Sequence, residues 1–155
     1  MPKVIEGAVS GAGLRFAIVA GRYNEFITNR LLSGALEALT KNGVREEDIH
    51  VFKVPGSFEI PQMARKIAER KQHHAIICLG ALIRGKTLHF ELISNECARG
   101  IQRVAADFGL PVTFGVITSE NTEQAVERAG DKSSNKGWEA AMAALEMANA
   151  YRHFE

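Results

Sequence analysis

The stretch at residues 75–91, AIICLGALIRGKTLHFE, sets an unbroken apolar run against a glycine-containing turn and the start of a helical pattern. An apolar run of this length, ended by Gly80, reads as a strand buried on both faces of a parallel sheet. Working outward, the same alternation recurs on both sides. Upstream lie the β-like runs LRFAIVA (14–20) and IHVFKV (49–54), the helical pattern NEFITNRLLSGALEALTKNG (24–43) and a helix from about Phe58 to Arg70. Downstream come a helix from about His89 to Phe108, the run PVTFGVIT (111–118), a short helix from about Thr122 to Ala129, and a last helix from about Lys136 to Tyr151. Strands alternating with helices predict a single α/β domain over 1–155, its parallel sheet covered on both faces.

The element ends have chemical signals. Asn24 stands where a side-chain oxygen would cap the first helix, and Gly43 suits the helix end. Asn121 followed by Gln124 resembles a capping box, and Asn135 is placed to cap the last helix. Residues 3–9 read as an additional strand whose partner belongs to a neighbouring subunit. In an open α/β sheet, ligands bind beyond the carboxyl ends of the strands. That rule selects four loops: 21–24 (GRYN), 55–59 (PGSFE), 81–87 (ALIRGKT) and 118–121 (TSEN).

Composition narrows the partners. The 155 residues are 46% hydrophobic and 24% charged, enough for a proper core. Lys plus Arg number 19 and Asp plus Glu 18, which leaves no cationic surplus to track nucleic acid. No apolar stretch approaches the ~20 residues of a membrane span, and no signal-peptide core opens the chain, so a cytoplasmic protein is expected. The two cysteines, Cys78 and Cys97, lie in apolar patterns and belong to no metal-ligand spacing. Inert packing is expected for both, and no metal. His73 and His74 read as surface residues.

Within the opening stretch, residues 80–87 satisfy G-x-x-x-x-G-K-[ST], the spelling of an ATP-binding loop. Leu82, Ile83 and Arg84 are too bulky for the tight backbone wrap such loops make around phosphates, and no strand ends in a magnesium-binding aspartate. His89 lies at a helix start, where a neutral imidazole can serve as a base.

Six landmarks in order identify a resemblance that runs end to end: GRYN (21–24), VPGSFEIP (54–61), GALIRGKTLHFE (80–91), TFGVIT (113–118), EQAVERAG (123–130) and NKGWEAA (135–141). The chain resembles the lumazine synthase family. That resemblance implies a three-layer, flavodoxin-like αβα sandwich with a central parallel four-stranded sheet. It also implies condensation of 5-amino-6-(D-ribitylamino)uracil with 3,4-dihydroxy-2-butanone 4-phosphate, the penultimate step of riboflavin synthesis, with no cofactor. A shell that binds flavin-like ligands without catalysis is the contrasting possibility, and retention of His89 and Arg128 speaks against it.

Position by position, the resemblance gives Tyr23 the place of the aromatic that stacks on the pyrimidine, usually Phe or Trp. Ser57, Phe58 and Glu59 match the segment that holds the ribityl chain, and Ala81, Leu82 and Ile83 match the backbone lining the pyrimidine. Gly85, Lys86 and Thr87 match the phosphate-binding turn, although relatives commonly carry a small or acidic residue in place of Lys86. His89 matches the proton-transfer residue, Arg128 the phosphate anchor, Lys136 its reinforcement and Glu139 a carboxylate partner for His89. Phe114 matches an aromatic supplied by the adjacent subunit, so active sites are expected at interfaces of a homo-oligomer built from pentamers. The short connection at 130–137 favours a sixty-subunit shell, with room for association with riboflavin synthase.

Overall fold

Residues 1–155 are described by a computed structural model whose sheet has the strand order β2-β1-β3-β4, all parallel. The strands are β1 (Phe16–Gly21), β2 (Ile49–Val54), β3 (Ala75–Ile83) and β4 (Val112–Ser119). The helices are α1 (Glu25–Lys41), α2 (Ile60–Arg70), α3 (His89–Phe108), α4 (Thr122–Arg128) and α5 (Lys136–Tyr151). No helix is long and apolar enough to cross a membrane.

The apolar runs of β1 and β3 are continuous because these central strands are covered on both sides. Phe16, Ile18 and Ala20 join Ile77 and Leu79 in one core beneath α1 and α5. Ala17 and Val19 join Ile76 and Cys78 in a second core beneath α2 and α3. Each fully buried Ile or Leu contributes roughly 1.5–3 kcal/mol relative to exposure. The first face packs more closely, since α5 buries Ala140, Ala141, Ala144 and Ala148. A Cβ on Gly137 would collide with the Leu31 carbonyl of α1, so glycine there sets the approach of the two helices.

The helix placements agree with the sequence pattern, with three corrections. Residues 3–9, expected to pair with a neighbouring subunit, are unpaired within one chain. Both edges of β1 are already taken, by β2 and β3, and the segment lies along α5, where Asn149 Nδ2 donates to the carbonyls of Ala8 and Ser10 at 2.8 Å. The helix expected from Phe58 begins as a tighter turn over Ser57–Glu59, and α2 proper starts at Ile60 with Pro61 in its first turn, where a missing N–H removes no helical bond.

Asn24 does not cap α1 with its side chain. It adopts the left-handed conformation (φ 61°, ψ 46°), which asparagine tolerates better than most residues. Its carbonyl accepts from the Ile27 and Thr28 N–H groups, while Nδ2 donates to the Ala81 carbonyl at 2.9 Å. The cap therefore doubles as a tie between the loop after β1 and strand β3. At the other termini the caps are as expected: Asn121 Oδ1 accepts from Gln124 N at 2.9 Å, and Asn135 Oδ1 from Trp138 N at 3.0 Å.

His73 and His74 are not simple surface residues. His74 Nδ1 accepts the Arg15 N–H at 2.9 Å, and His73 Nε2 lies 2.8 Å from His50 Nδ1. Both contacts close the amino end of the sheet. Cys78 and Cys97 are buried as expected, and burial drives both thiols upward, Cys97 to about 12 and Cys78 further, so neither supplies a thiolate.

Candidate active site

Strand order reverses between β1 and β3, and the loops leaving β1, β2 and β3 converge over that gap. Arg22 N donates to the Val54 carbonyl at 2.8 Å and Tyr23 N to the Pro55 carbonyl at 3.0 Å, which zips the loop after β1 to the loop after β2. Tyr23 is 72% exposed, so its ring has a free face. Behind it Ser57 is buried, Glu59 half-buried and Phe58 exposed. A Cβ on Gly80 would sit 2.6 Å from Ser57 Oγ, so the glycine admits that hydroxyl to the surface of β3.

The residues spelling a nucleotide loop do not form one. Ala81, Leu82 and Ile83 continue β3 and pair in register with Ile117, Thr118 and Ser119 of β4. A phosphate-wrapping loop would have to leave the sheet at Gly80. The chain leaves it only at Arg84, and residues 84–88 alone bridge to α3. Gly85, Lys86, Thr87 and His89 are exposed in this bridge, where His89 N donates to Thr87 Oγ1 at 3.3 Å. His89 is the first residue of α3; its own N–H is met by Thr87 Oγ1, and Leu88 before it gives no side-chain cap to the N–H groups that follow in the first turn. Such a helix start favours an anion.

The remaining expected residues lie along the β4 edge, where Phe114 and Arg128 also line a hollow of about 660 Å³ with Arg84, Phe90 and Glu91. Phe114 on the edge strand β4, Arg128 at the end of α4, and Lys136 and Glu139 in the first turn of α5 line a cleft of about 390 Å³ with Thr118 and Ala143. Arg128 Nη1 donates to the Thr118 carbonyl at 3.3 Å, which aims the guanidinium along the cleft, and no carboxylate pairs with it. Lys136 Nζ and Glu139 Oε2 form an ion pair at 3.2 Å. Within one chain Glu139 is engaged with Lys136 and makes no contact with His89. Nor does any hydrogen bond join Arg128 to the turn at 85–87.

Tyr23, Ser57, Phe58, Glu59, Ala81, Leu82, Ile83, Gly85, Lys86, Thr87 and His89 thus share the rim at the strand ends, whereas Phe114, Arg128, Lys136 and Glu139 share the edge cleft. The rim offers hydroxyl and carboxylate groups, an imidazole and a helix start beside the end of β3, where Ala81 and Leu82 are buried and Ile83 half-buried. The cleft offers an aromatic and two cations. No group of three or more His, Cys, Asp or Glu side chains is arranged to hold a metal ion. Sequence reasoning missed Asn24 as a donor to Ala81, and Arg84 as anything more than bulk. Arg84 pairs with Glu91 at 2.7 Å and Glu120 at 2.9 Å.

Comparison with known proteins bears on the chemistry of these two surfaces. Residues 13–152 match the sequence model of the family described as 6,7-dimethyl-8-ribityllumazine synthase. A protein of that name from Desulfosudis oleivorans is 53% identical over 149 residues, covering 96% of this chain and 95% of the relative. Proteins of the same name from Desulfatibacillum aliphaticivorans and Clostridium kluyveri are 50% and 51% identical, covering 100% and 99% of both chains in each pair.

Proposed function

The chain belongs to the 6,7-dimethyl-8-ribityllumazine synthase family, and from that premise we propose how its rim and its cleft divide the work. The enzyme is a transferase that condenses 5-amino-6-(D-ribitylamino)uracil with 3,4-dihydroxy-2-butanone 4-phosphate to form the lumazine in riboflavin biosynthesis. The pyrimidine lies over Ala81, Leu82 and Ile83 and is covered by the free face of Tyr23. Ser57 and Glu59 take hydrogen bonds from the ribityl hydroxyls, with Phe58 alongside. Gly85, Lys86 and Thr87 receive the phosphate at the start of α3.

His89 moves the protons. In imine formation the amine nitrogen gives up its hydrogens and the ketone oxygen leaves as water. Elimination then breaks the carbon–oxygen bond to phosphate and releases inorganic phosphate. Ring closure releases a second water and completes the pyrazine ring.

The cleft of a neighbouring copy supplies the rest: Phe114 against the pyrimidine, Arg128 as a forked donor to phosphate, Lys136 beside it, and Glu139 as the carboxylate facing His89. The observation that supports this division is that no hydrogen bond or ion pair joins Arg128, Lys136 or Glu139 to His89 or the turn at 85–87 within one chain. Aromatic rings left exposed on both surfaces, Tyr23 and Phe58 on the rim and Phe114 at 46% in the cleft, support their meeting between copies. Assembly into pentamers, and of pentamers into a sixty-subunit shell, follows this reading. The extended segment at residues 3–9 adds to the open edge of β2 in a neighbour, and the compartment is the cytoplasm, where riboflavin synthase is a natural associate.

Mixing two impaired variants, assayed with the phosphate substrate well below its KM, tests the shared site. His89→Ala and Arg128→Ala proteins, unfolded together and reassembled, should regain about a quarter of the parent activity, because random mixing unites an intact rim with an intact cleft at that frequency. Activity no higher than that of the separate variants would place both residues in one subunit. Sedimentation of the parent protein separates a pentamer from a sixty-subunit shell by mass.

A further inference from the structure

Arg84 stands inside the motif that imitates a nucleotide loop, yet no substrate contact falls to it in the reading above. Its backbone N–H donates to the Ser119 carbonyl at 2.8 Å, one step beyond the last paired residue of β3. From that fixed base the guanidinium reaches two carboxylates on different elements. Nη1 donates to Glu91 Oε1 at 2.7 Å in the first turn of α3. Nε lies 2.9 Å from Glu120 Oε2 in the turn between β4 and α4. Its carbon centre also stands 4.8 Å from the ring centre of Phe90. One planar cation thus holds the sheet, the start of α3 and the start of α4.

The residues spanned by this clamp are those that face ligand. Between Arg84 and Phe90 every residue is exposed. The tether within the span is the His89 N–H to Thr87 Oγ1 bond, and the first helical bond beyond it runs from Leu92 N to the Leu88 carbonyl. His89 directly precedes Phe90 and Glu91, the two residues of α3 that Arg84 holds. We propose that Arg84 is a positioning residue: it fixes the first turn of α3 against the sheet so that His89 and the turn at 85–87 keep one geometry. The inference rests on His89 being the proton-transfer group.

The contact set is specific to a fork. A lysine ammonium at position 84 can reach one carboxylate or the other, but cannot lie flat on Phe90 while joining both. Exposed ion pairs contribute little to global stability, so loss of the clamp should leave the folded oligomer intact and act locally.

Hydrogen exchange of Arg84→Ala and Arg84→Lys tests the clamp without reference to turnover. The amide of Leu92, the first of α3 with a helical bond, and those of the turn that follows should exchange at least about tenfold faster in Arg84→Ala, with Arg84→Lys between it and the parent, while amides of β3 keep their protection. Exchange within twofold of the parent would overturn the proposal. For turnover, Arg84→Ala should lower kcat about tenfold with KM for both substrates within twofold, because a misplaced proton-transfer group slows chemistry without removing binding contacts. A raised KM for the phosphate substrate at unchanged kcat would instead make Arg84 a phosphate ligand and overturn the positioning role. If the parent makes no lumazine while the exchange difference stands, the assigned reaction fails and the clamp does not.

Discussion

The two ends of the sheet use histidine in opposite ways. At the carboxyl end the strands open into exposed loops, and His89 stands at a helix start with its ring accessible. At the amino end His50 and His73 meet ring to ring at 87°, their nitrogens 2.8 Å apart, and His74 accepts from Arg15. His73 Nδ1 is buried with no partner. An orphaned lone pair is tolerated more easily than an orphaned N–H, so His73 donates from Nε2 to His50 and keeps Nδ1 bare. Protonating His73, or turning the shared bond around, would put hydrogen on that buried nitrogen. Burial, then the neighbouring His50, Arg15 and His74, push the His73 imidazole down to about 4. Accessibility and the fate of the second ring nitrogen therefore separate a histidine free to exchange protons from one that holds the fold, and neither is written in the residue type.

The contrast breaks most sharply at His89. His89→Ala should lower turnover by the order of 10²-fold, about 2.7 kcal/mol of barrier, with little change in the binding of the phosphate substrate or in the melting temperature. Unchanged turnover would mean that another group or water moves the proton. Arg128→Ala should raise KM for the phosphate substrate about tenfold or more, read from steady-state kinetics at fixed pyrimidine concentration.

The amino end should answer in stability and leave turnover alone. Above about pH 6.5 His73 is neutral in both folded and unfolded chains and contributes no pH dependence. As pH falls from there towards 4, the unfolded chain takes up a proton that the folded chain refuses, so stability falls, and below about 4 the slope ends. Because His73 is only partly buried, solvent screening reduces the effect to the order of 1 kcal/mol. Denaturant midpoints from pH 7 to 4.5 should flatten in His73→Phe, and an identical slope in that variant would remove His73 as the cause. The smallest effect is expected at Lys86, which is exposed and makes no ion pair. Lys86→Ala should raise KM for the phosphate substrate roughly two- to threefold and leave kcat unchanged, as a solvated cation near an anion would.

The fold was legible because the central strands announce themselves. A run buried on both faces leaves no polar residue to interrupt it, and α1 repeats its apolar side chains at helical spacing. The placement of the candidate site was legible where residues are chain neighbours: residues 85–87 form one short exposed loop and His89 begins the helix after it. What sequence could not supply were relations between distant segments. Asn24 gave the signal of a cap, yet its amide is spent on Ala81, 57 residues away. Glu139 fits a carboxylate partner for His89, but three residues before it Lys136 is already in reach. His73 and His74 sit among polar residues and read as solvated, because their contacts with His50 and Arg15 come from other strands.

Strand β3 runs three residues past Gly80, in register with β4 to its last residue. The floor at Ala81, Leu82 and Ile83 is consequently ordered before any ligand arrives. A flat ring laid on it incurs no entropy of loop closure at that surface, and an ill-fitting ring gains nothing from local rearrangement. In the proposed binding mode this floor selects among heterocycles by shape at first contact, and the stretch that leaves the sheet before α3 is the five residues between Ile83 and His89.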